Sequence, residues 1–122
     1  LHKLSNQIIL KHTTIEKIKS KYDIIISNPP YVDETEYKSL QLEIKKYEPK
    51  IALLGGKDGL KFYRDFANKI EKIMNYNSFF ICEIGHNQLK SCIKIFDKSN
   101  LTLKKISKDI QKIDRTLTFY KI

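Results

Sequence analysis

The sequence predicts an α/β fold with a mostly parallel sheet that ends in an antiparallel pair of strands. Residues 23–27 contain an apolar run at 24–26 and residues 79–84 contain an apolar run at 79–82, which is typical of strands buried on both faces of a parallel sheet. Residues 101–106 and 116–120 are also β-like. The segment between them is too short for a crossover helix, so we expect them to pair antiparallel at the sheet edge. With helices between the earlier strands, this order predicts half of a doubly wound sheet.

Helical spacing of apolar side chains marks the segments between the strands. The spacing predicts a short helix over residues 37–47, before Pro49. It also predicts a longer helix over residues 60–74, with Asp58 as the expected N-cap. Residues 89–96 predict a further helix.

Three other segments predict short local structure. Residues 52–59 hold three of the four glycines, which predicts a tight turn rather than a phosphate-binding loop. Near the amino end, residues 7–10 predict a short strand, and residues 15–20 predict a helical turn with Thr14 as its N-cap. Residues 75–77, which contain two asparagines, should end the longer helix.

Composition indicates one packed domain with a lysine-rich surface. The chain has 122 residues, 41% of them hydrophobic, and a formal net charge of +9. Only Arg64 and Arg115 are arginines and the lysines are spread along the chain, which favours a solvated surface over a nucleic-acid face. No apolar run reaches the roughly 18 residues of a membrane span. We therefore expect a cytoplasmic protein that binds neither membrane nor nucleic acid directly.

The two cysteines fit a reducing compartment. Cys82 lies in an apolar run and Cys92 on a predicted helix face, so both are expected to be small core residues. The histidines and cysteines show no metal-ligand spacing, and we expect no metal.

The stretch that carries chemistry is Asn28, Pro29, Pro30 and Tyr31, directly after the first apolar run. Ligands of open α/β sheets bind at the carboxyl ends of strands, and this tetrapeptide stands at such an end. Each proline fixes its own φ and pushes the residue before it into an extended conformation, so the segment is rigid before a ligand arrives. The simpler alternative is that the prolines only end the strand.

These residues are suited to hold a planar amide or exocyclic amine. Such a group has two N–H donors, and the Asn28 side-chain oxygen and the Pro29 carbonyl supply two acceptors. Tyr31 is placed to stack on the planar group. An amide nitrogen is a poor nucleophile, so holding it in line with an activated methyl group is what accelerates the reaction. A carboxylate has no proton to donate, and rejection of roughly 10⁴-fold is expected.

Longer stretches resemble the HemK/PrmC family of protein N5-glutamine methyltransferases, which modify the Gly-Gly-Gln glutamine of peptide chain release factors. The resemblance runs from about Tyr22 to the end. Its blocks are residues 22–32 (YDIIISNPPYV), 47–49 (YEP), 52–53 (AL), 55–64 (GGKDGLKFYR), 83–88 (EIGHNQ) and 114–115 (DR). Asn-Pro-Pro-Tyr alone is shared with amino-methyltransferases that act on adenine, whereas the later blocks point to the glutamine enzymes.

The resemblance implies a partial Rossmann-like class I S-adenosylmethionine-dependent methyltransferase fold and a role in translation termination. It implies that Asn28, Pro29, Pro30 and Tyr31 bind the substrate amide, with Asn28, Pro29 and Tyr31 as the catalytic set. Asn28 would also contact S-adenosylmethionine. The implied partners are release factors.

Two residues downstream keep open roles. Glu83 either binds polar groups near the pocket or caps the next helix. Gln88 belongs to the same block, and its role is equally open.

Residues 1–122 are expected to be the carboxyl-terminal portion of the methyltransferase catalytic domain. The family's glycine-rich loop after its first strand, its ribose-binding acidic residue and its recognition domain would all precede Leu1. His12-Thr13 also stands where many members have an acidic-aromatic pair beside the cofactor. We therefore expect the chain by itself to bind S-adenosylmethionine very weakly.

Two other functions remain open from the sequence. The first is an amino-methyltransferase acting on adenine in DNA or RNA, which would be expected to carry an arginine-rich recognition segment. The second is a non-catalytic α/β module that keeps the motif as a relic.

Overall fold

A four-stranded mixed sheet forms the centre of the protein. The computed structural model describes residues 3–40 and 42–122. Its strands are β1 (Tyr22–Ser27), β2 (Met74–Glu83), β3 (Thr102–Lys108) and β4 (Asp114–Lys121), in the spatial order β1-β2-β4-β3. β1 and β2 are parallel, while β4 is antiparallel to both of its neighbours. Three strands therefore point in one direction, and the predicted antiparallel terminal pair is confirmed, with β3 at the edge.

Short helices and turns connect the strands. They are α1 (Glu34–Ser39), α2 (Leu42–Tyr47), α3 (Lys50–Leu53), α4 (Lys61–Ala67) and α5 (Leu89–Phe96), with 3₁₀ turns at Ile15–Lys17 and Ile70–Ile73. The single helix predicted over residues 37–47 is wrong, because Leu40 is extended (φ −60°, ψ 146°) where α1 ends.

The helix predicted over residues 60–74 is also shorter than expected. It begins at Lys61, with Leu60 as its N-cap, and ends at Ala67. Residues Ile70–Ile73, which were predicted to belong to the same helix, form a separate 3₁₀ turn. Asp58 is not the N-cap, although its Oδ1 accepts the Leu60 N–H at 3.1 Å. Residues 75–77 do not end a helix but lie within β2, where Asn77 has a φ of 57° and the pairing with β1 shifts register.

One face of the sheet carries the core. Phe80 is fully buried there, and its ring centroid lies 5.6 Å from that of Phe96 on α5 and 6.0 Å from that of Phe119 on β4. The remaining buried side chains of this cluster come from α4, α5, the second 3₁₀ turn, the strands and the residues next to the strands: Tyr63, Ile70, Ile73, Met74, Cys82, Ile84, Cys92, Leu101 and Leu117. Both cysteines are core residues, as predicted. Burial raises the pKa of both thiols, that of Cys92 to about 12.

Two expectations at the β1 side of the sheet are wrong. Residues 7–10 form no strand, and Ile9 and Leu10 are 82% and 92% exposed. β1 was expected to be buried on both faces as a central strand, yet Ile24 and Ile26 are 61% and 74% exposed. Only Ile25 packs against the core. Apolar side chains show that a strand can be buried on both faces, but burial also requires a packed layer on each face. The described residues form such a layer only on the face that carries Ile25.

The helical turn near the amino end is shorter than expected. It covers Ile15–Lys17, and Thr14 is its N-cap by position but makes no side-chain capping hydrogen bond.

Candidate functional site

The Asn-Pro-Pro-Tyr loop, which we define as residues 28–32, begins where β1 ends. Pro29 is buried, Asn28 is exposed, and Pro30 and Tyr31 are half-buried. At its far end Val32 forms a parallel bridge with Leu54, in which the Val32 N–H donates to the Leu53 carbonyl at 3.0 Å. The loop is thus held at one end by β1 and at the other by the turn that follows α3, as the predicted position at a strand end requires.

Two cavities meet at this loop. The first, of about 450 Å³, is lined by Thr13, Thr14, Ile15, Glu16, Ser27, Asn28, Pro29, Pro30, Lys61, Phe62, Asp65 and Phe66. The second, of about 510 Å³, is lined by Asn28, Pro29, Pro30, Tyr31, Val32, Ile44, Glu48, Ala52 and Leu53. Both volumes are typical of small-molecule sites. Asn28, Pro29 and Pro30 form the wall that the cavities share, so two ligands bound there would approach each other at these residues.

The polar groups of Asn28 and Pro29 are available to a ligand. Within residues 3–40 and 42–122, neither the Asn28 side chain nor the Pro29 carbonyl takes part in a hydrogen bond. Asn28 is also exposed, so no protein partner must be displaced before it binds. The structure therefore leaves the Asn28 side-chain oxygen and the Pro29 carbonyl oxygen without a hydrogen-bond partner at the end of β1.

Tyr31 is anchored by its hydroxyl group. This group donates to Glu83 Oε1 at 3.1 Å, across 52 residues of sequence. Burial, together with the Glu83 carboxyl group, raises the pKa of Tyr31, so the hydroxyl keeps its proton. Glu83 does not cap α5, whose N-cap position is held by Gln88. Of the two roles that the sequence left open for Glu83, the structure shows the contact with the loop.

Gln88 holds the loop from a second side. Its Nε2 donates to the Tyr31 carbonyl at 2.9 Å and to the Gly59 carbonyl at 3.3 Å. Its Oε1 accepts the Gly85 N–H at 2.9 Å and the Tyr63 hydroxyl at 3.2 Å. Sequence reasoning missed this role, since three of the four partners are backbone groups and leave no side-chain pattern. The only signal was the position of Gln88 three residues after a strand-ending glycine.

The turn at residues 55–59 packs directly against the loop. Gly56 and Gly59 have φ values of +86° and +74°, as the predicted tight turn requires. Gly59 also permits a close approach: a Cβ built there would lie 2.7 Å from Gln88 Nε2 and still nearer to the Tyr31 carbonyl oxygen. Its lack of a side chain lets the turn, the loop and Gln88 meet.

Over residues 3–40 and 42–122, no three His, Cys, Asp or Glu side chains are grouped so that they could hold a metal ion. In the same ranges, no helix has both the length and the apolar character needed to cross a bilayer.

Comparison with known proteins identifies relatives by sequence. No family model matches the chain. The release factor glutamine methyltransferase of Fusobacterium nucleatum is 35% identical over 119 residues, which is 96% of this chain and 34% of that protein. The enzyme of the same name from Thermodesulfovibrio yellowstonii is 38% identical over 122 residues, 99% of this chain and 44% of that protein. The chain thus spans less than half the length of these relatives.

Solved structures show the same fold. The protein-(glutamine-N5) methyltransferase (release factor-specific) of Alicyclobacillus acidocaldarius matches with a TM-score of 0.52 and 21% identity, over 84% of this chain and 50% of that one. A methyltransferase from Pyrococcus furiosus matches with a TM-score of 0.58 and 18% identity, over 96% and 47%. At these identities the likeness concerns the fold alone. The partial Rossmann-like class I methyltransferase fold is confirmed.

Proposed function

We propose that this chain, whose sequence resembles the HemK/PrmC family over nearly its whole length, holds a glutamine side-chain amide for methylation. The reaction transfers a methyl group from S-adenosylmethionine to the amide nitrogen of the Gly-Gly-Gln glutamine of peptide chain release factors. The observation that carries the proposal is the pair of Asn28 and Pro29 oxygens, which have no hydrogen-bond partner among the described residues and belong to the wall that the two cavities share.

The substrate amide is assigned to the cavity on the Tyr31 side. Its NH₂ group donates one hydrogen bond to Asn28 Oδ1 and one to the Pro29 carbonyl, which together define the plane of the amide. The Tyr31 ring stacks on that plane, and its hydroxyl bond to Glu83 fixes where the ring lies. Glutamate would bring oxygen atoms against these acceptors, so the site rejects it.

The cavity on the Thr13 side suits the methyl donor. Its volume of about 450 Å³ falls in the range of cofactor sites, and Ser27 and Asn28 line it at the carboxyl end of β1. When bound there, S-adenosylmethionine supplies an activated methyl group on sulfur. Asn28 would touch both ligands, because it lines both cavities.

The chain's own residues contribute placement. The amide nitrogen forms the new bond to carbon, the electron pair of the broken carbon–sulfur bond stays on sulfur, and one amide proton goes to solvent. Positive charge develops on the amide nitrogen as the new bond forms, and its protons become more acidic. The acceptors of the two N–H hydrogen bonds stabilise this charge. The rigid prolines keep those acceptors in position, so little reorganisation is needed during the reaction.

Release factors are the proposed partners, and translation termination in the cytoplasm is the proposed setting. The lysine-rich surface, with only two arginines, argues for a protein substrate over an adenine base in nucleic acid.

The test uses the natural full-length protein with S-adenosylmethionine labelled in the methyl group. Label should enter a release factor, and should not enter the same release factor with its Gly-Gly-Gln glutamine replaced by glutamate. Double-stranded and single-stranded DNA serve as parallel acceptors. Label in adenine and none in the release factor would contradict the proposal.

A further inference from the structure

We propose that Gln88 is the positioning residue of the Asn-Pro-Pro-Tyr loop: its side-chain amide fixes the Tyr31 backbone and thereby sets the two acceptors that hold the reacting amide. The inference rests on the proposed function and deepens it. Gln88 itself lines neither of the two cavities, so it acts through the loop and not by contact with a ligand.

The Gln88 amide is fully used by the protein. Two protons on Nε2 meet two carbonyl oxygens, those of Tyr31 and Gly59. Oε1 meets two donors, the Gly85 N–H and the Tyr63 hydroxyl, whose single proton is shared with the Glu83 carbonyl at 3.3 Å. A primary amide has no further hydrogen-bonding capacity. The opposite orientation of the amide would set an oxygen against two carbonyls, so the partners admit only one orientation.

The four partners belong to four different segments. Tyr31 lies in the loop, Gly59 in the turn before α4, Tyr63 on α4, and Gly85 directly after β2. Tyr63 is fully buried, which fixes one donor of the network inside the core. Gln88 therefore ties the loop to the rigid body of the domain.

Both ends of Tyr31 are held. Gln88 binds its carbonyl, and Glu83 accepts from its hydroxyl. The residues between β1 and Tyr31 are Asn28, Pro29 and Pro30. The pyrrolidine rings fix the φ angles of the two prolines. Fixing the Tyr31 carbonyl therefore restrains the backbone that carries the Pro29 carbonyl and the Asn28 side chain. A misplacement of about 1 Å at a reacting group can cost about 10²-fold in rate, so this anchor bears on catalysis.

The test compares two conversions of glutamine to methionine in the natural full-length protein. Gln88→Met keeps the length of the side chain and removes all four hydrogen bonds. Gln111→Met is the matched control, because Gln111 is exposed and its side chain makes no hydrogen bond with the described residues. A second variant, Gln88→Glu, keeps the shape but loses both donated protons when ionised.

We expect both Gln88 variants to lower kcat per folded molecule by about 10- to 100-fold at saturating S-adenosylmethionine. The Kd for S-adenosylmethionine should change less than kcat, because Gln88 lines neither cavity and reaches the donor cavity only through the loop. Gln111→Met should match the wild type. A kcat within about two-fold of wild type in Gln88→Met would overturn the proposal.

Hydrogen exchange separates positioning from general structural support. In Gln88→Met, the amides of Val32, the last residue of the loop, and of Gly55, which donates to the Val32 carbonyl, should exchange faster, while those of β4 stay protected. Equal acceleration in β4 would mean that Gln88 only stabilises the fold, and would overturn the proposal.

Two further measurements keep the result decisive. If the variants do not fold, wild-type exchange at Gly85 decides: protection relative to the neighbouring His86 amide supports the network, and equal rates overturn it. If the wild type methylates a substrate other than a release factor, the proposed function fails, and the Gln88 comparison is then made with that substrate.

Discussion

Replacing Tyr31 with phenylalanine tests how the substrate loop is anchored. The change removes one hydrogen bond, the 3.1 Å bond from the Tyr31 hydroxyl to Glu83 Oε1, and leaves the ring in place. A bond to a charged acceptor contributes about 1.5–3 kcal/mol when it is shielded. Because both side chains are only half-buried, water replaces part of the loss, and we expect about 1 kcal/mol.

A double-mutant cycle isolates that bond. Urea unfolding of the full-length protein is measured for the wild type, Tyr31→Phe, Glu83→Met and the double variant. We expect a coupling free energy of about 1 kcal/mol between the two changes. Tyr31→Phe combined with Glu71→Met serves as a distant control pair and should be additive to within about 0.3–0.5 kcal/mol. A Tyr31–Glu83 coupling as small as the control's would refute the anchoring role of this contact.

Three further predictions concern the turn, the core and pH. Gly59→Ala should destabilise the protein by more than about 2 kcal/mol, and by more than Gly56→Ala does. Both substitutions place a side chain at a positive φ, but only Gly59 adjoins the Tyr31 carbonyl and Gln88. Equal urea midpoints for the two variants would contradict this. Phe80→Ala should cost about 3–5 kcal/mol, whereas Phe79→Ala on the opposite face, where Phe79 is 39% exposed, should cost about 1 kcal/mol or less in the same assay. Burial raises the pKa of Cys82 and Cys92 above the ordinary 9.0, so the contribution of these two thiols to stability does not vary with pH below about pH 9. Above that pH the unfolded state alone loses these protons, and the free energy of unfolding should fall by up to roughly 1.4 kcal/mol per pH unit for each thiol. Equal urea midpoints at pH 8 and pH 10 would count against that assignment, and Cys92→Ala should flatten the dependence.

The strands and the loop that follows β1 were predictable because their signals are local. A run of isoleucines stopped by two prolines fixes both a strand and its end, and Ser27 is indeed the last residue of β1. The antiparallel pairing of β3 and β4 followed from the short connection between them. The spatial order of the four strands, in which β4 lies between β2 and β3, depends on tertiary packing around Phe80. No local pattern in the sequence indicates this order.

Predictions that depended on a partner were less successful. β1 was expected to be covered on both faces, yet Ile24 is exposed. The apolar character of a side chain shows that it can be buried, but it does not show which residues pack against it. Gln88 shows the same limit for polar groups. It lies 57 residues from Tyr31 and 29 from Gly59, and backbone carbonyls are present at every residue, so nothing in the sequence singles out these two.

The removal of the Asn28 side-chain acceptor tests the central proposal most directly. In the natural full-length protein, saturated with S-adenosylmethionine, Asn28→Ala should lower the rate of methyl transfer to the release-factor glutamine by about 10²–10³-fold. The stability should be nearly unchanged, because the Asn28 side chain is exposed and makes no hydrogen bond within residues 3–40 and 42–122. Asn68→Ala, at an exposed asparagine outside both cavities, should retain wild-type activity. A rate for Asn28→Ala within a few-fold of Asn68→Ala would contradict the account.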